Sequence, residues 1–337
     1  MLREDIVSEL GQYPSFFIIG AQRSGNTLLR LLLNQNSMLS IPKEAGFLMP
    51  YLQRKKLDNP RPLSPRERQT LVSYLSQNRQ YQKWNLEVDV LDHILTTELS
   101  LRQAIGYLYW VFAQRHNKKI CGDKTPSFIR KLDLMLDIYP DAKLIHIVRD
   151  GRDVYLSLKK IEEPSAASIA VASFDWRIKL SLIRRVIMKH PLRTMELKYE
   201  DLLDNPAQIL KKVCDFIGVY YETEMLDFHQ SSDKFVDYQH SDLIFRPIDP
   251  SNTRKWVKYF TPFELKKYDF FSSKTLRMYG YPVTELRVSF IEGISFIAEF
   301  IFFLPLRILR IVKIALNMKM ASKLGLAYDH EKDIDYG

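Results

Sequence analysis

The stretch from Phe16 to Leu33 narrows the choice of fold more than any other: FFIIG, then the turn AQRSGNT, then LLRLLL. A four-residue apolar run ending in glycine reads as a strand buried on both faces, and the leucines after the turn recur at helical spacing. The same alternation returns along the chain. β-like runs SFFIIG (15–20), KKICG (118–122), KLIHIVR (143–149) and RTMELKY (193–199) are separated by helical patterns such as NTLLRLLLNQ, SFIRKLDLMLDIY, RDVYLSLKK and PAQILKKVCDFIG. Strands that alternate with helices predict an α/β fold, a parallel sheet flanked by helices. Ligands of such sheets sit at the carboxyl ends of the strands.

With 337 residues, 46% of them hydrophobic and 26% charged, the chain can bury one large core or two small ones and is neither disordered nor fibrous. Its balance of 49 Lys+Arg against 40 Asp+Glu, +9, suits nucleic acid, a membrane surface or an anionic small molecule without choosing among them. Two cysteines, Cys121 and Cys214, make neither a disulfide framework nor a zinc site. The first apolar run comes too late and is too short for a secretory signal, so a reducing, cytoplasmic setting is expected. Residues 1–285 read as one catalytic-sized domain with a helical insertion over about 51–116, rich in Tyr, Trp and Arg and expected to wall a second substrate. Ser64 followed by Pro65 reads as a helix start within that insertion. Residues 286–337 read as an apolar and basic amphipathic tail.

Gly20 to Thr27 spells G-x-x-x-x-G-N-T, a P-loop whose lysine is missing. Asn26 stands where a triphosphatase places the lysine that bridges the β and γ phosphates. The backbone of such a loop, with the helix N-terminus behind it, still cradles an anion. The cation has moved into the loop, to Arg23, which points to a phosphate ester other than a magnesium-bound triphosphate.

Together with four further segments, the loop resembles the sulfotransferases that use 3′-phosphoadenosine 5′-phosphosulfate (PAPS), above all the tyrosylprotein branch and its bacterial relatives, over about Phe16 to Gly280. Arg23-Ser24-Gly25-Asn26-Thr27 matches that branch's R-S-G-T-T, with Asn26 for the first threonine. KLIHIVRDGRDVYLSLKK matches the 3′-phosphate site, and the resemblance assigns Arg149 and Ser157 to that phosphate. Relatives carry another arginine where Ile161 stands, leaving Lys159 or Lys160 to substitute. In IPKEAGFL, Glu44 matches the general base of the branch. In CGDKTPSFIRKL, Lys124 matches the lysine at the bridging oxygen of the donor, with Asp123 either orienting it or serving the local turn. Weaker matches imply Tyr199 near the adenosine, and Ser241, Arg246 and Lys255 in a segment closing over the nucleotide, with Trp256 read as core. His146 is also read as core, and no histidine displaces Glu44.

The resemblance therefore implies in-line transfer of a sulfuryl group from PAPS to a hydroxyl of an unidentified acceptor (a tyrosine, a carbohydrate, a lipid or a small alcohol), with 3′-phosphoadenosine 5′-phosphate (PAP) as product and no metal required. The competing readings are a nucleotide kinase or triphosphatase with a degenerate P-loop, a nucleotide-binding protein without chemistry, and a nucleic-acid binder. Magnesium ligands are not evident for the first, and Glu44 with Lys124 argues against the second. One bisphosphate accounts for the basic residues near the site, so no nucleic-acid partner is expected. The run 288–320 is apolar but interrupted by Glu292, Glu299 and Pro305, a poor membrane span. Arg307, Arg310 and Lys313 recur every third residue, predicting a basic amphipathic helix that lies on a membrane, packs on the domain or joins a homodimer.

Overall fold

The computed structural model describes residues 4–230 and 242–324. Five strands, β1 (Phe16–Ile19), β2 (Leu39–Ser40), β3 (Ile120–Asp123), β4 (Lys143–Val148) and β5 (Thr194–Lys198), form one sheet in the order β2-β3-β1-β4-β5. Every pairing is parallel: Phe16 lies opposite Gly122 of β3 and Lys143 of β4, and Val148 lies opposite Lys198 of β5. The sequence reading placed four of these strands; β2, two residues long, carries too little pattern to be seen alone.

Side chains alternate across a strand, and here the alternation divides the core in two. Phe17, Ile19, Leu144 and Val148 face a cluster closed by helices α1 (Leu101–Arg115), α2 (Gly151–Lys160) and α3 (Ile169–Lys189). Phe16, Ile18, Ile145 and Ile147 face a second, closed by the helices Asn26–Asn34 and Pro206–Ile217. All four residues of β1 are essentially inaccessible. That explains why its sequence is a continuous apolar run rather than an alternating one.

Between β2 and β3 the insertion folds as short helices, among them Pro65–Gln77, which opens with the expected Ser64 cap and a reciprocal Glu67 bond, and α1, which repeats the device with Ser100 and Gln103. Trp84, 2% exposed, is the hub of this region, with its ring against Phe47, Tyr109 and Phe112. His146 is fully buried beside Glu196, as expected of a core residue. Cys121 and Cys214 are both free and buried.

After Gly280 the described residues run on to 324. There helix α5 (Phe290–Leu324) packs along α3, and its side chains meet α4 (Pro262–Met278) through ring contacts and ion pairs. Among the described residues, no helix is long and apolar enough to cross a membrane.

Candidate active site

At the carboxyl ends of β1, β3 and β4 lies a cavity of about 950 Å³. The loop after β1 forms its floor. Arg23 has a φ of 67° and Gly25, the residue before the helix, a φ of 98°, two left-handed positions that fold the loop tightly. A Cβ on Gly25 would stand 2.4 Å from the ring of Tyr199, so glycine is required there for space as well as for conformation. The Asn26 amide is committed to the loop itself, donating to the carbonyls of Gly20 and Ala21 at 3.3 and 3.0 Å. Asn26 thus occupies the lysine position as an internal brace; its Oδ1 has no hydrogen-bond partner among the described residues.

One end of the cavity gathers the expected phosphate ligands. Arg149, directly after β4, donates to the carbonyls of Arg23 and Asn252, each at 3.0 Å, and lies 4.3 Å over the Tyr199 ring. Arg23 Nε donates to Ser157 Oγ at 2.9 Å, bringing together the two halves of the site that lie 134 residues apart. Asn252 Nδ2 donates to Tyr199 Oη at 2.7 Å, closing the wall. Helix α2 starts here because Asp150 caps it, accepting from Arg152 N at 3.0 Å. Gly151 follows because any Cβ there would meet Tyr268 Oη at 2.0 Å. Burial, then the neighbouring Arg149, holds Arg23 below the usual guanidinium value, and the same two causes in the same order lower Lys255. Positive charge crowded in this way is a receptor for a polyanion.

The other end holds the predicted base. Lys124 Nζ donates to Glu44 Oε1 at 2.6 Å and reaches Thr27 Oγ1 at 3.5 Å, so β3, the loop and the segment after β2 converge on one point. The backbone around Glu44 is clamped on both sides. Trp84 Nε1 donates to the Lys43 carbonyl at 2.9 Å, and Ala45 N donates to Thr125 Oγ1 at 2.8 Å. Thr125 in turn donates to Asp123 Oδ2 at 3.1 Å, which also accepts from Tyr109 Oη at 2.8 Å. The hydrogen bonds of Asp123 thus go to Thr125 and Tyr109, and its link to Lys124 is the attraction of opposite charges; burial pushes its carboxyl up to about 7.

Of the residues singled out from sequence, Arg23, Gly25, Asn26, Thr27, Glu44, Lys124, Arg149, Ser157, Tyr199 and Lys255 line this one cavity. Ser24 does not. It is fully buried beneath the loop, and its hydroxyl has no partner among the described residues. Arg246 is exposed and outside the lining, because the residues that face inward from its segment are Ile244, Pro247 and Ile248. Ser241 lies outside the described residues. Ile161 lines the wall, and of the two lysines offered as its substitute Lys160 does so too, whereas Lys159 lies 5.8 Å from the Tyr155 ring. Trp256 is held by Arg152, 3.6 Å over its ring, and packs against the core as expected. Gln80 and Lys83 bring the insertion to the cavity. Trp84, Thr125 and Asn252 were missed; each acts through hydrogen bonds to other chain segments, and no local pattern marks such a role. Among the described residues one trio, Asp133, Asp137 and His190, brings possible metal-ligand atoms within 4.8 Å of one another, and none of the three lines the cavity.

A family model described as "Sulfotransferase family" matches residues 14–223, which include the loop, Glu44, Lys124, Arg149 and Tyr199. The chain belongs to the sulfotransferase family. Among curated sulfotransferases, it is 28% identical over 145 residues to the omega-hydroxy-beta-dihydromenaquinone-9 sulfotransferase of Mycobacterium bovis, covering 38% of this chain and 36% of that protein. It is 21% identical over 270 residues to the protein-tyrosine sulfotransferase of Drosophila melanogaster, covering 73% and 47%. The chain thus spans between about a third and two thirds of the length of the curated relatives it matches. The sulfotransferase domain of the curacin biosynthetic pathway shares the fold, with a TM-score of 0.58 at 22% identity over 81% of this chain and 100% of that one.

Proposed function

We propose that this sulfotransferase moves a sulfuryl group from PAPS to a hydroxyl of its acceptor, with Glu44 as general base. The observation that carries the reading is the convergence of Glu44, Lys124 and Thr27 at one end of a cavity whose other end holds Arg23, Arg149, Ser157 and Tyr199. The reaction forms a bond from the acceptor oxygen to sulfur and breaks the bond from sulfur to the bridging oxygen, the acceptor proton passing to Glu44. Lys124 meets the negative charge that grows on the bridging oxygen. Arg23 and the amides of the loop hold the 5′ side, while Arg149 and Ser157 hold the 3′-phosphate and fix the line of attack. Lys160 and Lys255 complete the charge balance. The named relatives act on a protein tyrosine and on an omega-hydroxy menaquinone, and a hydroxyl-bearing acceptor is the class common to both. Gln80 and Lys83 give it a wall.

Calorimetric titration with PAP, beside ATP with magnesium, tests the reading. Micromolar binding of PAP that Arg149→Ala weakens by about 10- to 100-fold supports it, and transfer of 35S label from PAPS to a phenolic or alcoholic acceptor, slowed by about 10²- to 10⁴-fold in Glu44→Gln, completes it. Preference for ATP with magnesium, or no nucleotide binding at all, overturns it.

A further inference from the structure

Helix α5 carries its polarity facing inward. Three charged residues lie between Phe290 and Leu309, and all three point at the protein. Glu292 accepts from Lys266 at 2.8 Å, Glu299 accepts from Ser168 Oγ at 2.7 Å and pairs with Lys267, and Arg307, 8% exposed, reaches Asp175 at 3.4 Å. This corrects the sequence reading in one respect: Arg307 belongs to the inner face, not to an outer basic stripe. Phe296, fully buried, fixes the same face between Phe263 and Phe270, with ring centroids at 5.3 and 5.7 Å.

What remains outward is apolar. Phe290, Ile291, Ile294, Ile301, Phe302 and Leu309 are 83, 79, 53, 63, 70 and 64% exposed, along a face that carries no charge over these residues. Isolated apolar side chains are ordinary on a protein surface; a continuous row along several helical turns marks a contact with another apolar phase. Beyond Leu309 the character changes. The sequence carries Arg310, Lys313, Lys319 and Lys323, with no acidic residue until Asp329, and Lys313 stands exposed beside exposed Val312 and Leu316.

We propose that the outward face of α5 docks on an anionic lipid bilayer, its apolar row in the interface and the exposed Lys313 among the headgroups, in a stretch whose sequence carries cations and no acid from Arg310 to Lys323. Charge complementarity selects this occupant over a second copy of the chain, which would bring the same exposed Lys313 and, among the described residues of that face, no acidic group to meet it. The helix lies against Gly46–Tyr51, the turn just after Glu44, and Tyr259 on the cavity wall precedes Phe263 by one helical turn of sequence. The docking proposal is independent of whatever chemistry the cavity performs.

Flotation of the full chain with vesicles of phosphatidylcholine alone, and of phosphatidylcholine mixed with phosphatidylglycerol, tests the proposal. The protein should float with the mixed vesicles, lose most of that binding at high salt, and lose it in the double variant Ile301→Glu, Phe302→Glu. Both side chains are exposed, so that variant should keep the melting temperature, and Leu192→Glu, at a residue 95% exposed elsewhere, should keep the vesicle binding. Absence of flotation with either vesicle overturns the proposal, as does flotation that the double variant leaves unchanged. A dimer by light scattering that the double variant dissociates, without vesicle binding, assigns the face to a second copy and equally overturns it.

Discussion

Lys124 Nζ lies 2.6 Å from Glu44 Oε1, and the two residues leave the carboxyl ends of neighbouring parallel strands: Lys124 directly follows β3, and Glu44 follows β2. The pair joins the proposed base to the proposed cation through one contact. Glu44→Gln keeps the shape and an acceptor for Lys124 while removing basicity, so kcat for sulfuryl transfer should fall by about 10²- to 10⁴-fold. The dissociation constant for PAP should stay within experimental error, and a parallel loss of PAP affinity would mean that Glu44 shapes the nucleotide site instead.

At the opposite end, Arg149→Ala removes a guanidinium that bonds two carbonyls and stacks on Tyr199. Charge-assisted bonds of this kind are worth about 1.5–3 kcal/mol, so PAP affinity should drop by about 10- to 100-fold. Ser157→Ala, which removes a neutral hydroxyl, should cost less. Calorimetry on both variants gives the ranking.

Gly25→Ala adds a methyl that meets Tyr199 at 2.4 Å in a backbone conformation glycine favours. Nucleotide binding should be lost, with a lower melting temperature. Combining it with Tyr199→Ala should restore part of the melting temperature but not the binding, since Tyr199 itself lines the site.

Asp123 makes stability depend on pH in a direction opposite to that of an ordinary ion-paired carboxylate. Burial pushes its folded-state carboxyl up to about 7, whereas the unfolded chain ionises near 4. Between these values the folded state binds more protons than the unfolded one, so this group's contribution to stability falls as pH rises from about 4 to about 7. Asp123→Asn keeps an acceptor for Tyr109 and Thr125 and removes the titration. Melting temperature against pH should be flatter for the variant over that window; identical slopes would refute the assignment.

Trp84→Phe retains the ring among Phe47, Tyr109 and Phe112 but removes the donor to the Lys43 carbonyl. Because that bond positions the residue before Glu44, kcat should fall several-fold with PAP affinity unchanged. A change confined to melting temperature would make Trp84 a core residue only.

Much of this is legible in the amino-acid sequence alone. The apolar runs around β1, β3, β4 and β5 announced a doubly covered sheet, and the residues proposed to bind through a local motif, Arg23 and Arg149 among them, stood in recognisable strand-turn-helix contexts. Residues whose work is done across the fold were not. Trp84 reads as one more aromatic in a helical segment, and only its bond to the Lys43 carbonyl gives it a part in the site. Arg246 lies outside the cavity lining for a related reason: a segment matched without gaps does not reveal which of its side chains turn inward. In α5, periodicity marked the amphipathic character, but the ion partners Lys266, Lys267 and Asp175, which fix which face is inner, lie on other helices.

Strand β1 sits at the centre of the sheet yet comes first in it along the chain, and its neighbours, Gly122 of β3 and Lys143 of β4 opposite Phe16, follow more than a hundred residues later. At about 5–20 residues per second, ribosomal synthesis leaves Phe-Phe-Ile-Ile unpaired on both edges for about 5–20 s. No hairpin can shelter it meanwhile, since every partner is parallel and distant. The strand that positions the loop is thus also the segment most exposed to premature association in the nascent chain. Chaperone demand during expression, rather than any property of the finished cavity, is where that topology will be felt first.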